Sequence, residues 1–433
     1  MVHDVDATPE AEFALRTAKR RDVRFVRLWF VDVLGLLKAV AIPISELEGA
    51  LERGVGIDGS ALDGTFRGLE RDVIAVPDPS TFQVLPWTPD ERVARVFCNI
   101  QKPDGSPSAG DSRAALDRVL AQAAELGYEL QVGAEVEFFL FDQEGRPTDD
   151  GSYFDFQAQD SGSPVRRRTI EHLEGMGIPV KASHHEAAPS QHEIDLVHTD
   201  ALSMADAIVT LRAAAKQVAA EHGALASFMP KPLTGAFGSG LHLHLSLFED
   251  GENAFFDPDP LRPLSPLGSA FLAGVLAHAR EFTALTNQWS NSYKRLAPGF
   301  EAPEATTWTL HGRSSLVRVP SNRPELADAA RIELRSPDPG CNPYLALAAV
   351  IGAGLRGVEA AYQAPVPDED PPTAPPLPAT LNEAADALDG SELVRDLLGD
   401  RLVDAVLRNK RGELEAERAT VTEYERTTLL RRL

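Results

Sequence analysis

Acidic and imidazole side chains alternate with apolar ones in two segments of the sequence, a pattern suited to holding metal ions. In GAEVEFFLF, Glu135 and Glu137 are two residues apart, and in GLHLHLSL the polar positions are His242, His244 and Ser246. Successive side chains of a β-strand point to opposite faces, so each set shares one face of its strand. Both segments are therefore predicted to be strands with a polar face that could do chemistry.

Two further segments carry the same kinds of group. RIELR places Arg331, Glu333 and Arg335 on one face of a strand, and HHEAAPSQHEIDL supplies Glu186 and Glu193. Any one of these segments alone fits an ordinary half-exposed strand with a solvated polar face. A solvated face would more often use Lys, Thr, Ser and mixed charge, so the four segments together favour a functional site.

The side-chain types indicate what such a site would hold. Carboxylate oxygens with one imidazole suit Mg²⁺ or Mn²⁺ that bridge substrate phosphates. Guanidinium groups have fixed donor forks that bind phosphate and carboxylate. The residues themselves therefore predict a site for divalent metal and phosphate.

Composition and charge narrow the classes of partner. The 433 residues carry 42 basic and 65 acidic side chains, a formal net charge of −23, which argues against nucleic acid and against an anionic membrane as partners. The two cysteines, Cys98 and Cys341, cannot form a disulfide scaffold and fit a reducing compartment. The N-terminus shows no secretory signal, and the longest apolar run, 344–355, is too short to span a bilayer. A cytoplasmic, soluble protein is expected.

The elements that must position these residues fall into two parts. The segment 24–43 has a hairpin pattern around Gly35, and the polar stretch 101–112 is a plausible linker. We predict an α+β protein with a small domain at 1–105 and a larger one at 106–433. Helical patterns in the larger part are expected at 113–126, 164–176, 203–222, 266–288 and 343–362, and a Pro-rich exposed loop at 363–380.

The chain resembles the glutamine synthetase superfamily, bacterial type I branch. The matching motifs span most of it: LWFVDVLGLLK, DGSALDG, GAEVEFF, SHHEAAPSQHEIDL, FMPKP, GSGLHLHLSLF, NSYKRLAPGFEAP, ARIELRSPD and NPYLALAAVIGAGLRG. The resemblance implies an N-terminal β-grasp domain and a catalytic domain in which helices surround an antiparallel sheet funnel open at both ends. It also implies a homo-oligomer, a dodecamer of two hexameric rings with active sites between subunits.

The resemblance also assigns roles to individual residues. The ligands of one metal would be Glu137, Glu186 and Glu193, and those of the other Glu135, His242 and Glu333. The substrate carboxylate would be clamped by Arg295 and Arg335, the run that includes Gly238 would touch glutamate, and Tyr153 would line the ammonium pocket. The nucleotide would meet His244, Ser246 and Arg331, and the transferring phosphoryl group Arg313 and Arg318.

Two acidic residues complete the implied site. Glu301, in PGFEAP, would be the flap residue that closes the glutamate entrance and takes the proton from the attacking ammonium. Asp58 would bind and deprotonate ammonium from the adjacent subunit. The implied reaction uses ATP as co-substrate with two or more Mg²⁺ or Mn²⁺ ions. It converts glutamate to γ-glutamyl phosphate, which then reacts with ammonia or a small amine.

The sequence departs from the family pattern at several of these sites. Ala61 replaces a serine that lines the ammonium site, Phe237 an asparagine at the glutamate site, Gly312 an asparagine, and Ser190 a glycine. No lysine lies between Arg318 and Arg331, where one often contacts nucleotide. Ala61 and Phe237 together favour a primary amine, such as a polyamine or ethanolamine, as the acceptor. Drift within a true glutamine synthetase that uses ammonia is the alternative.

Other functions fit the pattern less well. A metal-dependent amidohydrolase would place its H-x-H pair earlier, followed by further histidines, whereas His242 and His244 lie past mid-chain among glutamates. A catalytically silent homologue would be expected to lose a metal ligand, and none is lost. A phosphagen-kinase-like role does not suit the small domain and the flap motif. Control by adenylylation is not expected, since no tyrosine lies between Tyr362 and Tyr424.

Overall fold

Two β-sheets organise the chain, one in each predicted part. The computed structural model describes residues 8–65, 68–156, 160–259, 261–321, 327–367 and 374–433. The last strand of the first sheet ends at Gln101 and the first strand of the second begins at Glu129. The predicted α+β class is confirmed, and the division at residue 105 remains a prediction.

The first sheet is small and mixed. Its strands, in the order β2-β1-β6-β4-β3 with β5 also paired to β6, are antiparallel except for the central β1–β6 pair. Two helices, α1 and α2, complete this part, and apolar side chains of helices and sheet form one core. The elements are α1 (Pro9–Arg20), β1 (Phe25–Val31), β2 (Leu37–Pro43), α2 (Leu47–Arg53), β3 (Val55–Asp58), β4 (Asp72–Pro77), β5 (Gln83–Val84) and β6 (Val93–Gln101).

The predicted hairpin forms, and its turn touches the larger part. Gly35 lies in the left-handed region at φ 72°, and a Cβ there would come within 2.6 Å of the Cα of Asn342. The Asn342 side chain donates hydrogen bonds to the carbonyls of Asp32 and Val33, each over 3.2 Å. Only glycine permits both the turn and this close approach.

The second sheet carries the four polar segments. Its order is β13-β14-β15-β11-β7-β9-β8, with β10 paired to β7 and β12 to β11. All pairs are antiparallel except β13–β14. The strands are β7 (Glu129–Phe141), β8 (Val180–His185), β9 (Gln191–Asp200), β10 (Leu225–Ser227), β11 (Leu241–Glu249), β12 (Glu252–Asn253), β13 (Ala305–Thr309), β14 (Ser315–Arg318) and β15 (Ile332–Leu334).

Helices cover the apolar face of this sheet. The alternate leucines of β11, such as Leu243 and Leu245, are buried in the main core, whereas the histidines between them point the other way. The helices are α3 (Ser112–Glu125), α4 (Ser163–Gly175), α5 (Ala201–Glu221), α6 (Pro266–Thr286), α7 (Ser292–Arg295), α8 (Pro343–Glu359), α9 (Leu381–Asp389), α10 (Glu392–Leu398), α11 (Asp400–Ala419) and α12 (Glu423–Leu429). Within the described ranges, none of these helices has the length and apolarity needed to cross a membrane.

Part of the Pro-rich segment is packed rather than exposed. The amide of Thr306 on β13 donates to the carbonyl of Pro375 over 3.0 Å, and Leu377 is buried. The expectation of an exposed loop over 363–380 is therefore wrong at residues 377 and 378, whereas residues 375, 376, 379 and 380 are exposed, and residues 368–373 lie outside the described ranges.

Candidate active site

Strand register brings the predicted metal ligands together. Across the β7–β11 pair His242 lies opposite Glu135, and across β7–β9 Glu137 lies opposite Glu193. Across β11–β15 His244 lies opposite Glu333. Because these side chains occupy one face of adjacent strands, strand pairing alone gathers them, whereas the predicted ligand Glu186 lies in the loop between β8 and β9.

One candidate cation-binding group consists of Glu135, His242 and Glu333. Their ligand atoms all lie within 4.8 Å of one another. His242 Nδ1 is 3.0 Å from Glu135 Oε2 and 3.7 Å from Glu333 Oε1. Two carboxylates and one imidazole at this spacing fit a hard divalent cation.

The second predicted group, Glu137, Glu186 and Glu193, surrounds a histidine. His184 Nδ1 is 3.3 Å from Glu186 Oε1, and His184 Nε2 is 3.3 Å from Glu193 Oε1. Together with Glu193 and Asp195, His184 forms another set of ligand atoms within 4.8 Å of one another.

His184 and Asp195 were not predicted from the sequence, and only Asp195 has a local signal there. Asp195 follows Glu193 by two residues and so shares its face of β9. His184 lies opposite Glu193 in the β8–β9 pair, which becomes visible only once the strands are paired.

The carboxylates of the second group lie so close together that they repel one another when ionised. Burial, and next the charge of Glu137, raise the pKa of Glu186 to about 8. The same two causes raise the pKa of Glu193 well above its usual range. A divalent cation among these carboxylates would remove the repulsion and displace the protons.

The negative charge of the first group is already balanced by neighbouring histidines and arginines. Burial alone would raise the pKa of Glu135, but hydrogen bonds from His242 and His244 outweigh it and hold that pKa well below its usual range. Glu333 is fully buried and forms ion pairs with Arg318 and Arg335. Burial opposes ionisation there too, but the histidines and arginines lower the pKa of Glu333. A solvated polar face is thus excluded for these strands.

Glu137 is fixed by two groups that the sequence did not single out. Gln191 Nε2 donates to Glu137 Oε2 over 2.8 Å, and the amide of Gly240 donates to the same oxygen over 2.9 Å. A Cβ at residue 240 would lie 2.7 Å from Arg295 Nη2 and 3.0 Å from His242 Nε2. Glycine at this position lets the backbone reach the carboxylate between two site residues.

A cavity of about 460 Å³ contains both metal-ligand groups. The predicted substrate residues Tyr153, Gly238, Arg295 and Arg335 also line it. The buried guanidinium of Arg295 donates to backbone carbonyls, including that of Ser336 over 2.6 Å, so its position is fixed. The other residues with predicted roles that line this cavity are Glu135, Glu137, Glu186, Glu193, His242, Glu301, Arg313, Arg318 and Glu333.

The predicted flap residue faces this cavity in a strained backbone conformation. Glu301 has φ 52°, which is uncommon for a residue with a Cβ. Its Oε2 accepts a hydrogen bond from Arg313 Nη1 over 2.9 Å. The guanidinium of Arg313 also lies over the Tyr153 ring, 5.7 Å from its centroid.

A second cavity of about 540 Å³ adjoins the first and shares Glu135 and Asp195 with it. The predicted nucleotide residues His244, Ser246 and Arg331 line this second cavity. Arg331 Nε donates to His244 Nδ1 over 3.1 Å, so His244 donates its Nε2–H to Glu135, 2.8 Å away. The cavity predicted to hold the nucleotide is thereby linked to the predicted metal ligand Glu135 by direct hydrogen bonds.

Asp58 is placed apart from these residues. It is the last residue of β3 in the small sheet and is not among the described residues that line either cavity. Its carboxylate accepts hydrogen bonds from the Ser60 hydroxyl over 2.6 Å and from the Ser60 amide over 2.9 Å. Every other predicted site residue lines one of the two cavities.

Comparison with known families accounts for nearly the whole chain. The family model described as the glutamine synthetase β-grasp domain matches residues 22–103, and the one described as the glutamine synthetase catalytic domain matches residues 109–429.

Individual relatives extend over most of both chains. A glutamine synthetase of Mycolicibacterium smegmatis is 50% identical, with 96% of this chain and 98% of the relative aligned. A glutamine synthetase of Methanosarcina mazei is 44% identical, with 96% of each chain aligned.

Solved structures agree with the fold. A GmaS–ADP complex superposes with a TM-score of 0.88 at 32% identity, covering 96% of this chain and 99% of that one. A glutamine synthetase of Plasmodium falciparum gives a TM-score of 0.89 at 24% identity, covering 98% and 99%, and supports the fold alone. The predicted resemblance and the predicted fold class are both confirmed.

Proposed function

The chain belongs to the glutamine synthetase family and is an ATP-dependent carbon–nitrogen ligase, and we propose that it joins the γ-carboxylate of glutamate to a primary amine. The observation that carries this proposal is the pair of adjoining cavities with metal-ligand groups at their junction. Glu135, which both cavities share, contacts His242 on the substrate side and His244 on the nucleotide side. A phosphoryl group entering from one cavity would meet a carboxylate entering from the other.

The two carboxylate-rich groups suit Mg²⁺ or Mn²⁺, two or more per site. Hard oxygen ligands and one imidazole favour these ions, and the raised pKa values of Glu186 and Glu193 reflect unbalanced negative charge. Bound there, the ions would offset charge on the ATP phosphates and on the transferring phosphoryl group.

The chain's own residues would do the rest of the first step. Arg295 and Arg335 would orient the substrate glutamate, since both line the cavity, and the backbone at Gly238 would allow its close approach. Arg313 and Arg318 would stabilise the negative charge on the phosphoryl group as it passes from ATP to the γ-carboxylate. This step forms γ-glutamyl phosphate and ADP.

The second step needs water to be excluded and a proton to be removed. Glu301 would close over the glutamate entrance and accept the proton of the attacking amine, and displaced phosphate would leave. Because Asp58 lies in the small domain, away from its own cavities, we propose that it serves the site of a neighbouring subunit. That role requires a homo-oligomer, and we propose the dodecamer of two hexameric rings that the family resemblance implies.

An apolar wall supports a primary amine as the acceptor. Phe237 and Phe300 both line the substrate cavity and meet edge to face, with ring centroids 6.4 Å apart. The ammonium of the buried Lys231 lies 3.2 Å from the Phe300 centroid, a cation–π contact that fixes the ring. The two rings attract any cationic nitrogen through their faces, and they also offer apolar contact to the carbon chain of an amine, which ammonium lacks.

Ammonia is the second candidate acceptor, and a specific observation favours it. The Mycolicibacterium and Methanosarcina relatives bear the name glutamine synthetase, at 50% and 44% identity. Ser60 also holds the Asp58 carboxylate beside Ala61, so the small domain keeps a serine next to the replaced position.

An acceptor panel separates the two candidates. Glutamate-dependent phosphate release from ATP is measured with ammonium, methylamine, ethanolamine, putrescine and spermidine, and the products are identified by mass. The proposal predicts a higher kcat/KM for at least one amine than for ammonium. A strong preference for ammonium would reassign the protein as a true glutamine synthetase.

A further inference from the structure

A buried hydrogen-bonded clasp joins two loops behind the metal-ligand strands. The amide of Ser190 donates to Asp149 Oδ1 over 2.8 Å, and the amide of Asp149 donates back to Ser190 Oγ over 2.7 Å. Ser190 Oγ is also 3.2 Å from the hydroxyl of Thr148. Ser190 is fully buried, so this clasp is a fixed part of the interior.

The clasp gives a reason for the serine at this position. Ser190 has φ 58°, in the left-handed region where glycine is least strained. A serine at this position is strained in its backbone, and the hydrogen bonds of its hydroxyl offset that strain. Neutral drift would not require the serine hydroxyl to find hydrogen-bond partners, whereas here it accepts from the Asp149 amide and contacts the Thr148 hydroxyl.

Each loop of the clasp carries a residue of the proposed active site. Tyr153 follows Asp149 by four residues, and Glu186 precedes Ser190 by four. The connection is reinforced by His185, whose Nε2 is 2.9 Å from Asp149 Oδ1 and whose carbonyl accepts from the amide of Phe154 over 3.0 Å. The distance between Tyr153 and Glu186 therefore depends on this set of contacts.

Tyr153 is positioned among groups of the acceptor pocket. Its ring packs edge to face against His184 at 5.7 Å between centroids, and His184 contacts Glu186. The guanidinium of Arg313, which is hydrogen-bonded to Glu301, also lies 5.7 Å from the centroid of the Tyr153 ring. A shift of the Tyr153 turn would change the pocket between these residues without touching the nucleotide cavity.

A third metal ion is the competing explanation of this region, since ligand atoms of Asp149, His185 and His192 lie within 4.8 Å of one another. Arg166 Nη1, however, is 2.7 Å from His192 Nδ1 and donates to it. The guanidinium therefore places a positive charge next to this group, which disfavours a cation there, and Asp160 is already paired with the guanidinium. The contacts fit a structural clasp better than a metal site.

We propose that Ser190 and Asp149 are positioning residues that set the place of Tyr153 relative to Glu186 and thereby the affinity for the acceptor amine. The inference rests on the proposed ligase function, and it holds for either acceptor. A single substitution at Ser190 removes the hydrogen bonds of its hydroxyl and leaves the amide of residue 190 able to donate to Asp149.

Steady-state kinetics of Ser190→Ala and Ser190→Gly test this in the full-length protein. Both lose the hydroxyl, but only Ser190→Gly also relieves the backbone strain, so it serves if Ser190→Ala fails to fold. Both are expected to raise the acceptor KM about five- to tenfold, the size of effect that goes with losing one or two hydrogen bonds, while the ATP KM stays within about twofold. Ser152→Ala, at an exposed serine of the same turn, should change neither constant.

A double-mutant cycle with Tyr153→Ala distinguishes positioning from general damage. If Ser190 acts through Tyr153, adding Ser190→Gly to Tyr153→Ala should change the acceptor KM less than about twofold. Additive effects, a wild-type acceptor KM in Ser190→Gly, or an equal rise in the ATP KM would each overturn the inference. Failure of the proposed function would look different, because the unmodified protein would then release no glutamate-dependent phosphate with any acceptor.

Discussion

The guanidinium of Arg313 donates a hydrogen bond to the carboxylate of Glu301 over 2.9 Å, joining the residue proposed to stabilise the phosphoryl group to the residue proposed to close the flap. Both side chains are about half exposed, so the pair contributes little to folding stability. The contact instead holds the carboxylate proposed as proton acceptor beside the arginine proposed to stabilise the phosphoryl group.

Replacing the flap glutamate should separate the two halves of the reaction. Glu301→Ala is expected to leave ATP affinity within about twofold and to lower the rate of amide formation by about 10²- to 10⁴-fold, the usual contribution of a general base. Calorimetric ATP binding and product formation measure the two effects. Glu301→Gln keeps the shape and serves as the control for lost charge. Unchanged turnover in Glu301→Ala would refute the flap assignment.

Loss of a metal ligand should abolish the phosphoryl step itself. Glu137→Ala and His242→Ala are each expected to weaken metal affinity by more than about tenfold, since even groups that only support a ligand cost that much. Phosphate release titrated with Mg²⁺ and Mn²⁺ measures this. Glu144→Ala removes an exposed carboxylate just beyond the strand of Glu137 and should behave like the unmodified protein. Full metal-dependent activity in either ligand variant would show that the site map is wrong.

Metal binding should release protons and strengthen with pH. Because the pKa of Glu186 is raised to about 8 in the metal-free site, its carboxyl is protonated below that pH, and a cation must displace the proton. Mg²⁺ affinity is expected to rise by up to about tenfold per pH unit for each proton displaced between pH 6 and 8. Calorimetry in buffers of different ionisation enthalpy counts the protons. Glu186→Gln should release fewer, and proton-free binding by the unmodified protein would contradict the assignment.

The aromatic wall should control the choice of acceptor. Phe237→Asn replaces an apolar ring with a polar group and is expected to shift the ratio of kcat/KM for ammonium over the preferred amine by about tenfold or more toward ammonium. The same substitution at the exposed Phe13 should leave the ratio unchanged. An unaltered ratio in Phe237→Asn would remove this residue from the account of specificity.

Much of the fold and of the site was predictable because the sequence repeats one physical pattern. Alternation of carboxylate and imidazole with leucine or valine predicted β7 and β11, and α5 begins two residues before its predicted start. The family resemblance supplied roles that no periodicity contains. Helix α1 lies outside the predicted elements, although Thr8 caps it and Glu10 and Glu12 lie in its first turn as expected of a helix start.

The contacts that could not be predicted from the sequence are those that form only when separate strands and loops pack together. Gln191 begins β9 and Gly240 directly precedes β11, so both support Glu137 only once these strands pair on either side of β7. His184 enters the site through the pairing of β8 with β9, and Ser190 gains its hydrogen bonds only when Asp149 is folded against it. Such contacts join residues that are far apart in the sequence and leave no local pattern.

An oxygen-transfer measurement tests the central claim, activation of glutamate by phosphorylation of its γ-carboxylate. The protein is supplied with ATP, Mg²⁺, an accepting amine and glutamate labelled with ¹⁸O in the γ-carboxylate, and the released phosphate is analysed by mass. The account predicts one ¹⁸O atom in each phosphate released with product, because the carboxylate oxygen leaves with the phosphoryl group. Unlabelled phosphate would contradict it.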